Sequence, residues 1–172
     1  IDSFFENDLN KLKPVVELEQ AVDTLQSEIT QYLIELSQRN LTEAESEELP
    51  VLIHTVNDVE RIGDHAENIA ELSERKVDKK LPFSDAAIKE LRVMWNEHNS
   101  MMIEIETALD KNDFNIAQNV LKREERINRF QKEFKKTHVT RLNDGKCDLK
   151  SGIVFLDFVD NLEKIGDHLT NI

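Results

Sequence analysis

Residues 57–69 read NDVERIGDHAENI and residues 160–172 read DNLEKIGDHLTNI. At an offset of 103 residues, Glu60, Ile62, Gly63, Asp64, His65, Asn68 and Ile69 recur as Glu163, Ile165, Gly166, Asp167, His168, Asn171 and Ile172. An internal repeat of this kind marks one supersecondary unit used twice. Each copy closes a run of apolar residues spaced three and four apart, the period of one helix face. Two helical bundles built on one plan account for the pattern.

Working outward, the spacing predicts five main helices. The first runs from about Pro14 to Ser37, with Leu18, Val22, Leu25, Ile29, Tyr32 and Leu36 on one stripe. The second starts at Thr42, where Thr42 and Glu45 form a capping-box pattern, and carries Leu49, Leu52, Val56, Val59, Gly63, Ala66 and Ala70. It is expected to end near Ser73, with Arg75 to Leu81 as a charged linker. Pro82 and Ser84 open the third helix. Asp113 caps the fourth, which runs to about Leu142, and Asn143, Asp144 and Gly145 make a turn before the fifth, from about Ser151. Residues 1–11 read as a short helix or the tail of one. The expected fold is all-α, two tandem antiparallel helical bundles. The first repeat spans 1–76, a linker 77–83, and the second repeat, a three-helix bundle, 84–172.

Composition narrows the function. Three prolines and four glycines in 172 residues supply too little turn punctuation for a β-rich fold. The net charge of −13 opposes binding to nucleic-acid phosphate, which needs Lys and Arg to displace counterions. It equally opposes direct adsorption to an anionic lipid surface. A carboxylate-rich surface suits cations. The single Cys147 forms no intrachain disulfide and fits a reducing compartment. No apolar run approaches the length of a membrane span. Ile1 is not an initiator Met and Ile172 falls in mid-pattern, as expected of a piece of a longer protein. No E-x-x-H, no Gly-rich phosphate loop and no nucleophile elbow occurs, so the chain is not expected to be an enzyme.

The repeat also carries the candidate chemistry. Glu60 and Asp64, and again Glu163 and Asp167, lie four apart and project from one helix face. A lone pair of this kind is ordinarily solvated charge. Recurrence with the same Gly, His and Asn raises its weight, because like charges four apart are mildly destabilising and call for a cation or a basic partner. Glu19 and Asp23 form a matching pair 41 residues before Glu60, and Glu124 and Asn128 a near match 39 residues before Glu163. In antiparallel hairpins the pairs would face each other and offer up to four oxygens to a hard metal ion. Gly63 and Gly166 cost about 1 kcal/mol each in a helix interior, and close helix approach is the ordinary compensation. His65 and His168 read mainly as hydrogen-bonding residues, since neighbours on a helix point about 100° apart. His98 reads as a satisfied core histidine, Asn68 and Asn171 as cross-helix bonds, and Met101 and Met102 as core.

ERIGDHAENI and EKIGDHLTNI resemble the duplicated signature of the PhoU family. The resemblance implies two tandem three-helix bundles, regulation of phosphate uptake without catalysis, and multinuclear iron or zinc clusters bound through paired acidic motifs. The stretches EITQYLIELSQRNLTEAE and HVTRLNDGKCDLKSGIVFLDFVDNLEKIGDHL are most similar to the PhoU-like C-terminal domain of bacterial sodium-dependent phosphate cotransporters. That implies a membrane transporter domain, in the same or another chain, as partner, and a place on the cytoplasmic face of the cell membrane. It also implies that the first bundle lacks its first helix, leaving the stripe from Leu18 to Leu36 exposed unless another chain covers it. A homo-oligomer is one way to do so. Carried over, the metal ligands are Glu19, Asp23, Glu60, Asp64, Glu124, Glu163 and Asp167. Asn128 departs from the pattern, since an amide gives an oxygen without a charge, and weakens the second site. A metal-free helical adaptor or dimerisation module that binds a protein partner remains the alternative.

Overall fold

The computed structural model describes all 172 residues and is all-helical. Helices α1 (Asp2–Glu6), α2 (Lys13–Ser37), α3 (Glu43–Asp78), α4 (Asp85–Lys111), α5 (Phe114–Asn143) and α6 (Leu149–Asn171) follow in order, with one 3-10 turn at Leu9–Leu12. Short polar side chains set the boundaries. Thr42 and Glu45 make the reciprocal capping box of α3, Ser84 caps α4, Asp113 caps α5 and Asp148 caps α6. Each satisfies amides that the helix leaves without partners. Asn112, at the end of α4, takes the left-handed conformation that stops a helix and turns the chain.

The helices pack antiparallel. Gln26 donates to Asn57 across α2 and α3, Arg141 to Glu90 across α4 and α5, and Gln131 to Asp160 across α5 and α6. The two repeats meet along α3 and α6. Residues of α1, α3, α4, α5 and α6 share one core, in which Leu91, Met94, Met101, Ile127, Phe158 and Leu162 are fully buried. Burying such a side chain contributes roughly 1.5–3 kcal/mol. Helix α2 contributes nothing to this core; its one buried residue is Leu33. The stripe from Leu18 to Tyr32 therefore stays largely open, as expected of a two-helix first bundle.

One boundary differs from the sequence expectation. Helix α3 does not end near Ser73 but continues through Arg75 and Lys76 to Asp78. Its basic last turn complements the helix dipole. Lys76 is buried with no carboxylate partner. Its amine donates to the Phe4 carbonyl oxygen at 2.5 Å and to Asn7 Oδ1 at 2.6 Å, and lies 4.5 Å from the centre of the Phe4 ring. A charge read as linker is thus a tie between α1 and the end of α3, made by residues about 70 positions away. Burial pushes the Lys76 amine pKa down.

Two buried histidines pin the second bundle. The His98 ring is fully buried between the Met94 carbonyl on its own helix and the Leu162 carbonyl on α6. Burial pushes its pKa down, although carbonyls facing both nitrogens favour the charged form. His138 stacks on Phe155 at 4.8 Å, and a Cβ at Gly152 would sit 2.5 Å from its Nε2. Gly152, in α6, is therefore the glycine that close packing requires. At Gly63 and Gly166 a Cβ would meet its neighbours at 3.5 Å, an ordinary contact. The expected close approach at these two repeat glycines is absent, and nothing else in the structure explains them. Met102 is exposed rather than core, and Asn68 is exposed with no cross-helix bond.

Candidate metal centre

The acidic motifs sit on facing helix walls because α2 runs antiparallel to α3 and α5 antiparallel to α6. In the first repeat, Glu19, Asp23 and Asp64 come together, each offering one carboxylate oxygen within 4.8 Å of the others. The Glu19 carboxyl is pushed above its ordinary range, first by loss of water around it and then by Asp23, Glu67 and Asp64. Glu60 stands outside this triad. Its carboxylate lies 3.6 Å from Arg61, which also reaches Asp64 at 3.3 Å.

The second repeat keeps the arrangement with a different balance. Glu124 faces Asp167 and Glu163. Its carboxyl is pushed up by burial first, then by those two and Glu125, against the Asn128 amide, which donates to it and favours the charge. Asn128 Oδ1 is buried with no hydrogen-bond partner. Lys164 Nζ spans Glu163 at 3.1 Å and Asp167 at 2.7 Å. Arg61 and Lys164 occupy the same place in the two motifs, directly after the Glu. Each acidic pair therefore carries a basic neighbour inside its own motif, a compensation that the spacing of acids alone does not reveal.

The donor set suits a hard cation. It consists of carboxylate oxygens at a helix seam, with hydroxyl and thiol ligands absent. In the first repeat three carboxylates converge, and of these only Asp64 is paired with a basic side chain, Arg61. In the second the orphaned Asn128 oxygen beside Glu124 is the kind of buried acceptor that an ion would satisfy. The residues present therefore fit a metal, the first triad more closely than the second set.

The histidines of the motif do something else. His65 Nδ1 lies 2.9 Å from Asn161 Oδ1, and His168 Nδ1 lies 2.7 Å from Asp58 Oδ1; the two rings stack at 5.6 Å. Asn171 also donates to Asp58. Asp58 and Asn161 are themselves repeat counterparts, 103 residues apart. Each motif histidine thus bonds the other copy's residue seven positions before its own histidine, and the motif joins the repeats through a near two-fold relation. The sequence reading missed Asp58 and Asn161, though the same offset relates them.

A further charged seam holds α4 to α5. Arg123 bonds Glu104 at 2.7 Å and Glu97 at 2.8 Å, and Arg126 bonds Glu97. Burial alone would raise the Glu97 carboxyl, but the two guanidiniums outweigh it and hold it low.

The chain matches the PhoU family, described as the PhoU domain, over residues 1–73 and 91–172. It is 26% identical over 165 residues to the phosphate-specific transport system accessory protein PhoU homolog 1 of Thermotoga maritima, spanning 93% of this chain and 68% of that one. It is 25% identical over 174 residues to the PhoU homolog of Clostridium acetobutylicum, spanning 100% of this chain and 78% of that one. The crystal structure of PhoU from Pseudomonas aeruginosa superposes with a TM-score of 0.89 at 21% identity, over 99% of this chain and 81% of the other. The phosphate transport system regulatory protein PhoU from Streptococcus pneumoniae gives 0.83 at 18%, over 98% and 78%. At these identities the structures establish the shared fold.

Proposed function

The chain belongs to the PhoU family, and on that premise we propose that it is a non-catalytic regulator of phosphate uptake, acting on a membrane phosphate transporter through a cation-dependent helical domain. The observation that carries the metal is the convergence of Glu19, Asp23 and Asp64 from two helices. Three carboxylates this close repel each other, and a divalent or trivalent ion offsets that repulsion while bridging α2 to α3. Iron or zinc is the expected ion, with Glu19, Asp23 and Asp64, joined by Glu60, holding it in the first repeat, and Glu124, Glu163 and Asp167 in the second. When bound, the ion would present positive charge on a face that otherwise repels phosphate.

The transporter follows from the names of the relatives, which are accessory proteins of phosphate transport systems. No helix here is long and apolar enough to cross a membrane, so a membrane component would be another domain or another chain. Resemblance to cotransporter C-terminal domains points to a sodium/phosphate cotransporter and to the cytoplasmic face of the membrane. These chain residues would act by changing how α2 and α3 pack, and so what surface they present.

A metal-free adaptor is favoured by a specific observation as well. Arg61 and Lys164 already neutralise part of each acidic pair. Elemental mass spectrometry on untagged protein separates the two. Iron or zinc bound by the native chain and lost from Glu19→Gln/Asp23→Asn/Asp64→Asn supports the metal centre. No metal in either, even after reconstitution, leaves the adaptor. Phosphate uptake by cells with and without the domain tests the regulatory role; unchanged rate and unchanged response to external phosphate would overturn it.

A further inference from the structure

The polar contacts beside the two acidic sites run crosswise between the repeats. In the first repeat Gln26 of α2 donates to Asn57 Oδ1 of α3 at 2.8 Å, and in the second Gln131 of α5 donates to Asp160 Oδ1 of α6 at 2.9 Å. Each bond ties the two helices on which that repeat's acids face each other. The next residue along is in each case the partner of the other repeat's histidine. Asp58 follows Asn57 and meets His168, and Asn161 follows Asp160 and meets His65. Each histidine in turn directly follows a candidate ligand, Asp167 or Asp64. One route therefore leads from Gln26 through Asp58 and His168 to Asp167, and the other from Gln131 through Asn161 and His65 to Asp64. They pass each other where the two rings stack at 5.6 Å.

Every member of the route is duplicated, at an offset of 103 between α3 and α6 and of 105 between Gln26 and Gln131. The acid and the amide exchange places between the copies, Asn57–Asp58 against Asp160–Asn161, yet both bonds persist in both. The link is also short and stiff. Helix α3 is unbroken from Asn57 to His65 and α6 from Asp160 to His168, and seven residues make two helical turns, so the acid end and the dyad end of each helix move together. Holding Glu19 and Asp23 against Asp64 fixes the spacing of α2 from α3. Helix α3 carries His65, whose partner Asn161 sits beside the residue that ties α6 to α5. That second spacing is what sets Glu124 against Glu163 and Asp167. A cation seated in one repeat thus favours the spacing that a cation needs in the other.

We propose that the two acidic sites bind cations cooperatively, and that the crossed His65–Asn161 and His168–Asp58 contacts couple one site to the other. This coupling rests on the metal reading of the acidic sites and adds to it that the two repeats respond as a unit. Asp58, Asn161 and both histidines are positioning residues that touch no ion. By linkage the effect is equal in both directions: filling the first site strengthens the second by the factor with which filling the second strengthens the first.

The test is Mn²⁺ binding to the metal-free full chain, with free Mn²⁺ counted by electron paramagnetic resonance. Glu19→Gln/Asp23→Asn/Asp64→Asn leaves the second site alone, and Glu124→Gln/Glu163→Gln/Asp167→Asn leaves the first. The product of the two affinities in the native chain should exceed the product of these single-site affinities at least about fivefold. His65→Phe/His168→Phe keeps two stacked rings and removes both bonds. In that background both sites should still fill, and the fivefold excess should vanish. Asp58→Ala/Asn161→Ala removes the same bonds from the other side and should give the same result, with helical circular dichroism confirming the fold of each variant. A purely structural role would weaken both sites without changing the excess. Independent sites in the native chain, or an excess that survives both pairs of substitutions, overturns the proposal while leaving the metal reading intact. A native chain that takes up no Mn²⁺ overturns both.

Discussion

His168 Nδ1 lies 2.7 Å from Asp58 Oδ1, joining the end of the second repeat to the middle of α3. Its counterpart, His65 to Asn161, is the same contact turned through the near two-fold relation of the repeats, with the acid replaced by an amide. The histidines that follow each motif aspartate are therefore spent on joining the bundles. Both Asp58 and His168 are mostly buried, so the contact is shielded and worth more than a surface pair. A double-mutant cycle with Asp58→Ala and His168→Ala should give a coupling energy of about 1 kcal/mol by denaturant unfolding. Strict additivity would mean that the contact contributes nothing to holding the repeats together.

Glycines on the same helices should rank by space, not by recurrence in the motif. Gly152→Ala should destabilise by about 1–3 kcal/mol, because the new methyl meets a His138 ring that Phe155 holds in place. Gly63→Ala and Gly166→Ala, with ordinary contacts at 3.5 Å, should be neutral or stabilising by up to about 1 kcal/mol from helix propensity. Thermal unfolding of the three variants checks the order. A Gly152 variant no weaker than the other two would contradict this packing.

Lys76→Met keeps the length and the apolar contact with Phe4 but leaves the Phe4 carbonyl without its donor. The expected loss is about 1–3 kcal/mol, the cost of an unsatisfied buried acceptor. Amide exchange should quicken in residues 1–8 while α5 and α6 stay protected. Uniform acceleration across the chain would show that Lys76 supports the whole core and not the α1 tie.

Glu124 offers a test by pH. Its folded pKa is raised above the ordinary 4.5, so the fold favours the neutral form. The resulting penalty is absent well below pH 4.5 and complete once pH exceeds the folded pKa. In metal-free protein, Glu124→Gln should therefore raise the melting temperature at pH 7 and leave it unchanged near pH 3.5. Reduced stability at pH 7 would mean that the Asn128 contact outweighs burial and the repulsion from Asp167 and Glu163 at this residue.

His98 acts in the opposite direction. Burial holds its pKa below the ordinary 6.5, so the unfolded chain takes up a proton near pH 6.5 that the folded chain refuses until lower pH. Stability from this ring is fully present above about pH 6.5 and falls as pH drops below it. Urea midpoints between pH 7.5 and 5 should fall less steeply in His98→Gln than in the native chain. His138, also shifted down by burial, should account for part of the remaining slope. Identical slopes would show that the two facing carbonyls offset burial and leave this ring binding protons as it does in the unfolded chain.

Much of this architecture was legible in the chain. Thr42 with Glu45, Ser84 and Asp113 mark helix starts because a side-chain oxygen next to three orphan amides is a local arrangement, complete within four residues. The stripe containing Ile127 and Phe134 follows from helical period alone. The end of α3 was not legible, because Arg75 and Lys76 have the composition of a linker until Phe4 and Asn7 are brought beside them. The second histidine partner was equally hidden, since Asp58 acquires its meaning only when α6 lies against α3.

By itself the sequence determined the all-helical class, the duplication, the family and the placement of Glu19, Asp23 and Asp64 on facing helix walls, since period and offset are properties of the chain in one dimension. Tertiary structure alone decided that Glu60 turns to Arg61, that the motif histidines join the two repeats, that Gly152 and not Gly63 is sterically required, and that Lys76 ties α1 to the end of α3. The physical reason is range. Capping and periodicity act within a few residues, whereas burial, charge pairing and steric limits depend on which distant side chains the packing of helices brings within a few ångströms.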